Sequence, residues 1–120
     1  MIKSLVDLAA TLQRFADERD WEQFHSPKNL AMALSVEVAE LAEHFQWLTQ
    51  QQSMQLSDEQ KQAVGEELAD VLIYLVRLAD RLNIDLLVEA ENKIALNTEK
   101  YPIDQSKGLS NRPKTDQDNS

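Results

Sequence analysis

Apolar residues recur along this chain at spacings of three and four, the repeat of a helix with one buried stripe. Ile2, Leu5, Ala9, Leu12 and Ala16 form the first stripe, reinforced by Leu8 and Phe15, and predict a helix over residues 2–20. Ser26-Pro27 reads as an N-cap followed by proline at the first helical position, opening a second helix over residues 27–50. A polar, glutamine-rich link over 49–56 closes at Ser57-Asp-Glu-Gln60, a capping box that starts a third helix reaching about Leu82. Leu68, Val71, Leu72, Ile73, Leu75, Val76 and Leu78 cover most of that helix's circumference, so it is either central in its domain or buried by another subunit. Asp85 caps a fourth helix, which ends at Lys100 before Tyr101-Pro102.

With two glycines, three prolines and few β-branched runs, the expected fold is all-α, a four-helix bundle-like arrangement completed by oligomerisation. One helical domain is expected over 1–102, followed by a polar, mobile tail over 103–120. The chain has no cysteine, which removes disulfides, zinc–thiolate sites and thiol chemistry. Its net charge is −9 and it shows no basic patch, which argues against polymeric nucleic acid and anionic membranes as partners. No run approaches the ~20 apolar residues that cross a bilayer, and the N-terminus lacks an export pattern, so a cytoplasmic setting is expected.

A short cassette changes the picture. Glu37-Val-Ala-Glu40-Leu41 in the second helix is matched thirty residues later by Glu67-Leu-Ala-Asp70-Val71 in the third. Leu34 answers to Val64, Ala39 to Ala69, Phe45 to Leu75 and Leu48 to Leu78. At about 100° per residue, Leu30, Leu34, Leu41 and Leu48 fall within about 60° of Glu37, with Glu40 about 60° to the other side. The pattern around Glu67 and Asp70 is the same. Each helix thus sets two carboxylates against its most apolar stripe, where unpaired charge is costly. Basic side chains, shared protons or metal ions could hold them.

Arg77 and Arg81 are the only nearby cations, and they lie toward the far end of the stripe. Carboxylates without Cys or His ligands suit a hard ion, Mg²⁺ or Mn²⁺, shared with phosphate oxygens. A di-iron centre would need Glu-x-x-His pairs, and the third helix has no histidine. Glu43 and Glu66 point away from the cluster and read as surface acids.

The cassette and its flanks resemble a known family. The carrying residues are Phe15-Ala-Asp-Glu-Arg-Asp-Trp21-Glu-Gln-Phe24-His25, Asn29-Leu30, and Glu37-Val-Ala-Glu40-Leu-Ala-Glu43 with Phe45-Gln-Trp47. They continue as Glu66-Glu67-Leu-Ala-Asp70-Val-Leu-Ile-Tyr74-Leu75 and Lys93-x-x-x-Asn97-x-x-Lys100-Tyr101-Pro102. Together they resemble the all-α nucleoside triphosphate pyrophosphohydrolases of the MazG-like superfamily, in its dCTP pyrophosphatase branch. The resemblance implies cleavage of a nucleoside triphosphate, dCTP or a related deoxynucleotide, to the monophosphate and pyrophosphate in nucleotide-pool house-cleaning. It implies Mg²⁺ on Glu37, Glu40, Glu67 and Asp70, with Mn²⁺ as a substitute and Glu40 a weaker candidate for the base that takes water's proton.

The same resemblance implies a base pocket with Trp21 and Trp47, with His25 among the rings beside them; Tyr74, seven residues after Glu67 and so on the acid-bearing face, is a candidate wall beside the sugar. Lys93, Asn97, Lys100 and Tyr101, at i, i+4, i+7 and i+8, would bind the triphosphate. It further implies a homodimer or homotetramer. The segment from Asn111 departs from the basic closing segment expected of the family. The reading from another class is a non-catalytic helical module whose acids pair with a basic partner.

Overall fold

The computed structural model describes residues 1–109, which are helical throughout their regular structure, with no strand among them. Two compact units divide the chain. Met1–Ile84 holds α1 (Leu5–Glu18), a 3-10 turn (Glu22–Phe24), α2 (Pro27–Glu43), α3 (Gln50–Ser53) and α4 (Asp58–Arg81); the residues from Asp85 hold α5 (Leu86–Lys100) and α6 (Ile103–Ser106). No helix among the described residues is long and apolar enough to cross a membrane.

Side-chain caps fix where the helices begin. Ser4 accepts from the Asp7 amide, Ser26 from that of Asn29 and Ser57 from that of Gln60, while Asp85 accepts from Leu87 and Val88. Each satisfies amide groups that the first helical turn leaves without a carbonyl partner. The first expected helix therefore starts after Ser4, leaving Ile2 outside it.

The second expected helix stops short as well. It ends at Glu43 and not near Gln50, and Thr49 and Gln52 make a second capping box that opens α3. Residues 44–48 between them form tight turns, among them Phe45 N–H to Ala42 carbonyl at 3.0 Å and Leu48 N–H to Phe45 carbonyl at 2.9 Å. Phe45, Trp47 and Leu48 consequently lie outside the helical register that would pair them with α4. Residues 110–120 of the expected tail lie outside the described residues.

Two helices end in the same way. After α1, the Asp20 amide donates to the Asp17 carbonyl and the Trp21 amide to that of Ala16; after α4, Asn83 donates to Asp80 and Ile84 to Ala79. These are Schellman motifs, and their left-handed positions fall on Asp20 (φ 53°) and Asn83 (φ 55°). Asp and Asn tolerate that conformation better than other side chains. The first motif turns Trp21 back so that its ring meets Phe15 edge-on, with centroids 5.6 Å apart.

Helix α4 packs on both α1 and α2. It runs antiparallel to α2, since His25, just before α2, reaches Arg77 near the end of α4. Ala16, Leu30, Val76 and Ala79 are the fully buried apolar residues of this core. The broad apolar coverage of α4 splits into two faces: Val76 and Ala79 are enclosed, whereas Leu68, Leu72 and Leu75 stand exposed along a second stripe.

Asp20→Val is expected to destabilise the first unit by about 1–2 kcal/mol, because a β-branched residue strains the left-handed position. Asp20→Gly should be close to neutral. Chemical denaturation of both variants against the parent checks the difference; equal losses would remove the backbone explanation.

Candidate active site

The antiparallel packing of α2 on α4 brings Glu37, Glu67 and Asp70 together. One carboxylate oxygen from each lies within 4.8 Å of those of the other two. Glu67 and Asp70 are one turn apart on α4 and face Glu37 across the interface. Glu40 is near enough for its carboxyl to help raise the pKa of Glu37, but it lies outside the three-residue cluster.

The electrostatics of this cluster are unfavourable as it stands. Glu37 Oε2 and Glu67 Oε2 are buried and have no hydrogen-bond partner. Desolvation is the main cause that pushes the Glu37 carboxyl up to about 7 from 4.5. The neighbouring carboxyls of Glu40, Asp70 and Glu67 add to it. No ion pair among the described residues reaches any of the four acids. Basic side chains of the described chain are thereby excluded as the neutralising partner.

Shared protons or a cation remain. Orphaned buried oxygens in an all-carboxylate donor set fit a hard divalent cation such as Mg²⁺ or Mn²⁺, which takes oxygen ligands. Glu37, Glu67 and Asp70 could hold it directly, with Glu40 completing the negative wall.

The aromatic candidates occupy different surroundings. Trp21 is partly exposed, with the Phe15 edge on one side and the His25 ring 6.2 Å away. His25 is half-buried, and Tyr74 is half-buried on α4, seven residues and therefore two turns beyond Glu67. Trp47 lies in the turn after α2 and is 86% exposed, so its ring takes no part in the core of the single chain. Glu43 and Glu66 are exposed, as expected of surface acids.

Lys93, Asn97 and Lys100 are exposed on α5, and Tyr101 is the C-cap of that helix, its amide donating to the Asn97 carbonyl at 2.8 Å. These four belong to the second unit; the acids and the tryptophans belong to the first.

A polar cluster near the end of α4 was not legible in the sequence. Arg77 donates to His25 and Gln13, and Arg81 donates to the His25 carbonyl and to Glu22. An arginine inside the most apolar run of α4 is the one local signal of it. Gln13 and Glu22 carry no local signal, since their partners lie 64 and 59 residues away.

An all-helical unit with a carboxylate cluster between two helices is the class of protein that the fold and site define. The chain belongs to the MazG-like family, which it matches over residues 32–114. It is 46% identical over 107 residues to dCTP pyrophosphatase 1 of Mus musculus, covering 88% of this chain and 63% of the relative. To dCTP pyrophosphatase 1 of Homo sapiens it is 44% identical over 111 residues, covering 91% of this chain and 65% of the relative. The chain thus spans just under two thirds of the length of these relatives. A crystal structure of a pyrophosphatase from Archaeoglobus fulgidus is also similar, with a TM-score of 0.78 and 40% identity over 85% of this chain and 95% of the other.

A pH dependence follows from Glu37. Between about 4.5 and 7 the folded protein keeps a proton on Glu37 that the unfolded chain has already released. Without divalent cations, the contribution of this group to stability should therefore fall as pH rises through that window. A cation must displace that proton, so added Mg²⁺ should raise the melting temperature more at pH 8 than at pH 5. Thermal melts with and without Mg²⁺ at the two pH values check it; equal increments would mean that Glu37 does not face the ion.

Proposed function

We propose that the protein is a divalent-metal-dependent nucleoside triphosphate pyrophosphohydrolase that converts a deoxynucleoside triphosphate, dCTP or a close relative, to the monophosphate and pyrophosphate. The observation that carries this reading is the pair of buried, partnerless carboxylate oxygens of Glu37 and Glu67, set against Asp70 with no basic residue on them. Family membership and the dCTP pyrophosphatase relatives support the reaction.

Glu37, Glu67, Asp70 and Glu40 would hold Mg²⁺, with Mn²⁺ as a substitute, which supplies positive charge against the phosphate oxygens and the leaving pyrophosphate. Glu40, outside the three converging oxygens, is the weaker alternative: in place of binding the ion it would take the proton of the attacking water. Trp21 and the exposed Trp47 offer flat surfaces on which a base can stack. His25 supplies a polar edge beside Trp21, and Tyr74 a wall for the sugar. Lys93, Lys100, Asn97 and Tyr101 bring ammonium, amide and hydroxyl donors for the β and γ phosphates. A cytoplasmic setting, with its pool of free triphosphates, goes with this role.

Self-association is part of the proposal. Only four apolar residues are fully buried among the described residues, while Leu68 is 51% and Leu72 42% exposed on one stripe of α4. A domain of this length ordinarily buries most of its apolar surface. A homodimer or homotetramer that covers this stripe would restore the balance. Light scattering on the purified protein should give a mass of two or four chains; a monomer would remove this element of the reading.

Three outcomes are expected in activity. Pyrophosphate should be released from dCTP only with Mg²⁺ or Mn²⁺ present, and a panel of triphosphates would rank the bases. No turnover on any of them would favour a binding module with a basic partner. Glu37→Gln and Asp70→Asn should each lose ~10²-fold or more in kcat with the fold retained. Wild-type turnover in either variant would take that residue out of the site. Trp47→Ala should raise KM and leave the melting temperature and Mg²⁺ binding unchanged, because the ring is exposed; an unchanged KM would exclude it from the pocket.

A further inference from the structure

Arg77 is the one charged side chain that is fully buried among the described residues, at 3% exposure. It sits on α4 seven residues beyond Asp70, two turns or about 10 Å along the helix from the acids. Its partners are mostly neutral. Nε donates to His25 Nδ1 at 3.2 Å and Nη1 donates to Gln13 Oε1. Asp80 approaches only to 3.8 Å, and Nη2 is buried without any partner.

A guanidinium enclosed in this way is a poor means of holding helices together. An apolar side chain of similar length would pack in its place without desolvating a charge, and such replacements are often neutral or stabilising. What Arg77 does that methionine could not is control a histidine. The guanidinium Nε can only donate, so His25 Nδ1 must accept, and the single proton of a neutral imidazole is then on Nε2. Burial, with the charges of Arg77 and Arg81 adding to it, lowers the pKa of His25 and favours the neutral ring.

The segment carrying His25 is fixed to α4 by the next arginine as well. Arg81 Nε donates to the His25 carbonyl at 3.1 Å and Nη1 to Glu22 Oε1 at 2.5 Å. His25 Nε2, on the side of the ring away from Arg77, is neither buried nor hydrogen-bonded among the described residues. It stands on the same short segment as Trp21, whose ring centroid lies 6.2 Å from that of His25.

We propose that Arg77 is a positioning residue that locks His25 as its Nε2–H tautomer, so that one oriented hydrogen-bond donor stands beside the Trp21 stacking surface and reads an acceptor atom on the nucleobase edge. This rests on the reading of Trp21–His25 as a base-holding segment. Stacking alone tolerates any base, whereas a fixed donor discriminates against edges that cannot accept it. Cytosine offers two adjacent acceptors, O2 and N3, while thymine and uracil carry a proton on N3. A donor directed at N3 therefore accepts cytosine and rejects thymine and uracil.

The test joins spectroscopy to kinetics. In the full-length wild-type protein with ¹⁵N-labelled histidine, His25 should show a protonated Nε2 and an unprotonated Nδ1 near neutral pH. A proton on Nδ1 overturns the proposal whatever any variant does. In Arg77→Met the tautomers should mix, and the KM for dCTP should rise about tenfold, the scale of one hydrogen bond. The KM for a deoxyribose triphosphate lacking the base, and kcat, should change little, with the melting temperature equal to or above that of the parent.

An unchanged dCTP KM, an equal rise for the baseless triphosphate, or a variant that fails to fold would each show that Arg77 serves the scaffold and not the base. Absence of turnover by the wild-type protein on every triphosphate would instead overturn the underlying reading of the site. It would take the base-reading role with it, even with the tautomer as expected. The two failures are thus separable.

Discussion

The structure depends on carboxylates that cannot be left as they are. Glu37 and Glu67 place oxygens in the α2–α4 interface where no donor of the described chain reaches them, and Asp70 adds a third acid within 4.8 Å. Desolvation, with the neighbouring acids adding to it, holds the proton on the Glu37 carboxyl to about 7. Helices with apolar stripes this extensive could have packed with leucine at these positions at lower cost. A retained proton or a cation from outside the chain relieves that cost, and under the proposed function the cation ties the packing of the core to the reaction.

Around this interface, backbone chemistry does much of the positioning. The Schellman motif after α1, with Asp20 in the left-handed region, turns Trp21 against Phe15, and the turns between the end of α2 and the capping box at Thr49 leave Trp47 exposed. Both tryptophans therefore owe their placement to how a neighbouring helix ends or begins. At the far end of α4, Arg77 and Arg81 fasten the segment between the two Trp-bearing regions to the helix that carries two of the acids. One helix thus sets the spacing between the acidic cluster and an aromatic wall.

Helix α4 carries conflicting demands, and its sequence shows them. It has an enclosed side around Val76 and Ala79, an acidic edge at Glu67 and Asp70, a buried arginine, and a second apolar stripe at Leu68, Leu72 and Leu75 that stays exposed in the single chain. A helix serving one core would not need apolar residues on two sides. The proposed self-association would cover the second stripe and so reconcile these faces.

The sequence by itself determined the helices and the acids. Three-four spacing, Ser and Asp caps, the Ser57 capping box and the matched cassettes at Glu37 and Glu67 are all read within a turn or two of chain, because helix formation and capping are short-range. It did not reveal that α2 ends at Glu43, since the competing capping box at Thr49 lay within a segment that read simply as a polar link. The tertiary structure alone decided which carboxylate oxygens meet, that Glu40 stands outside the closest three, and that Arg77 turns to His25 and Gln13 and not to the acids. Those choices depend on contacts 30 to 64 residues apart. They are set by the antiparallel packing of whole helices, a constraint that no local pattern encodes.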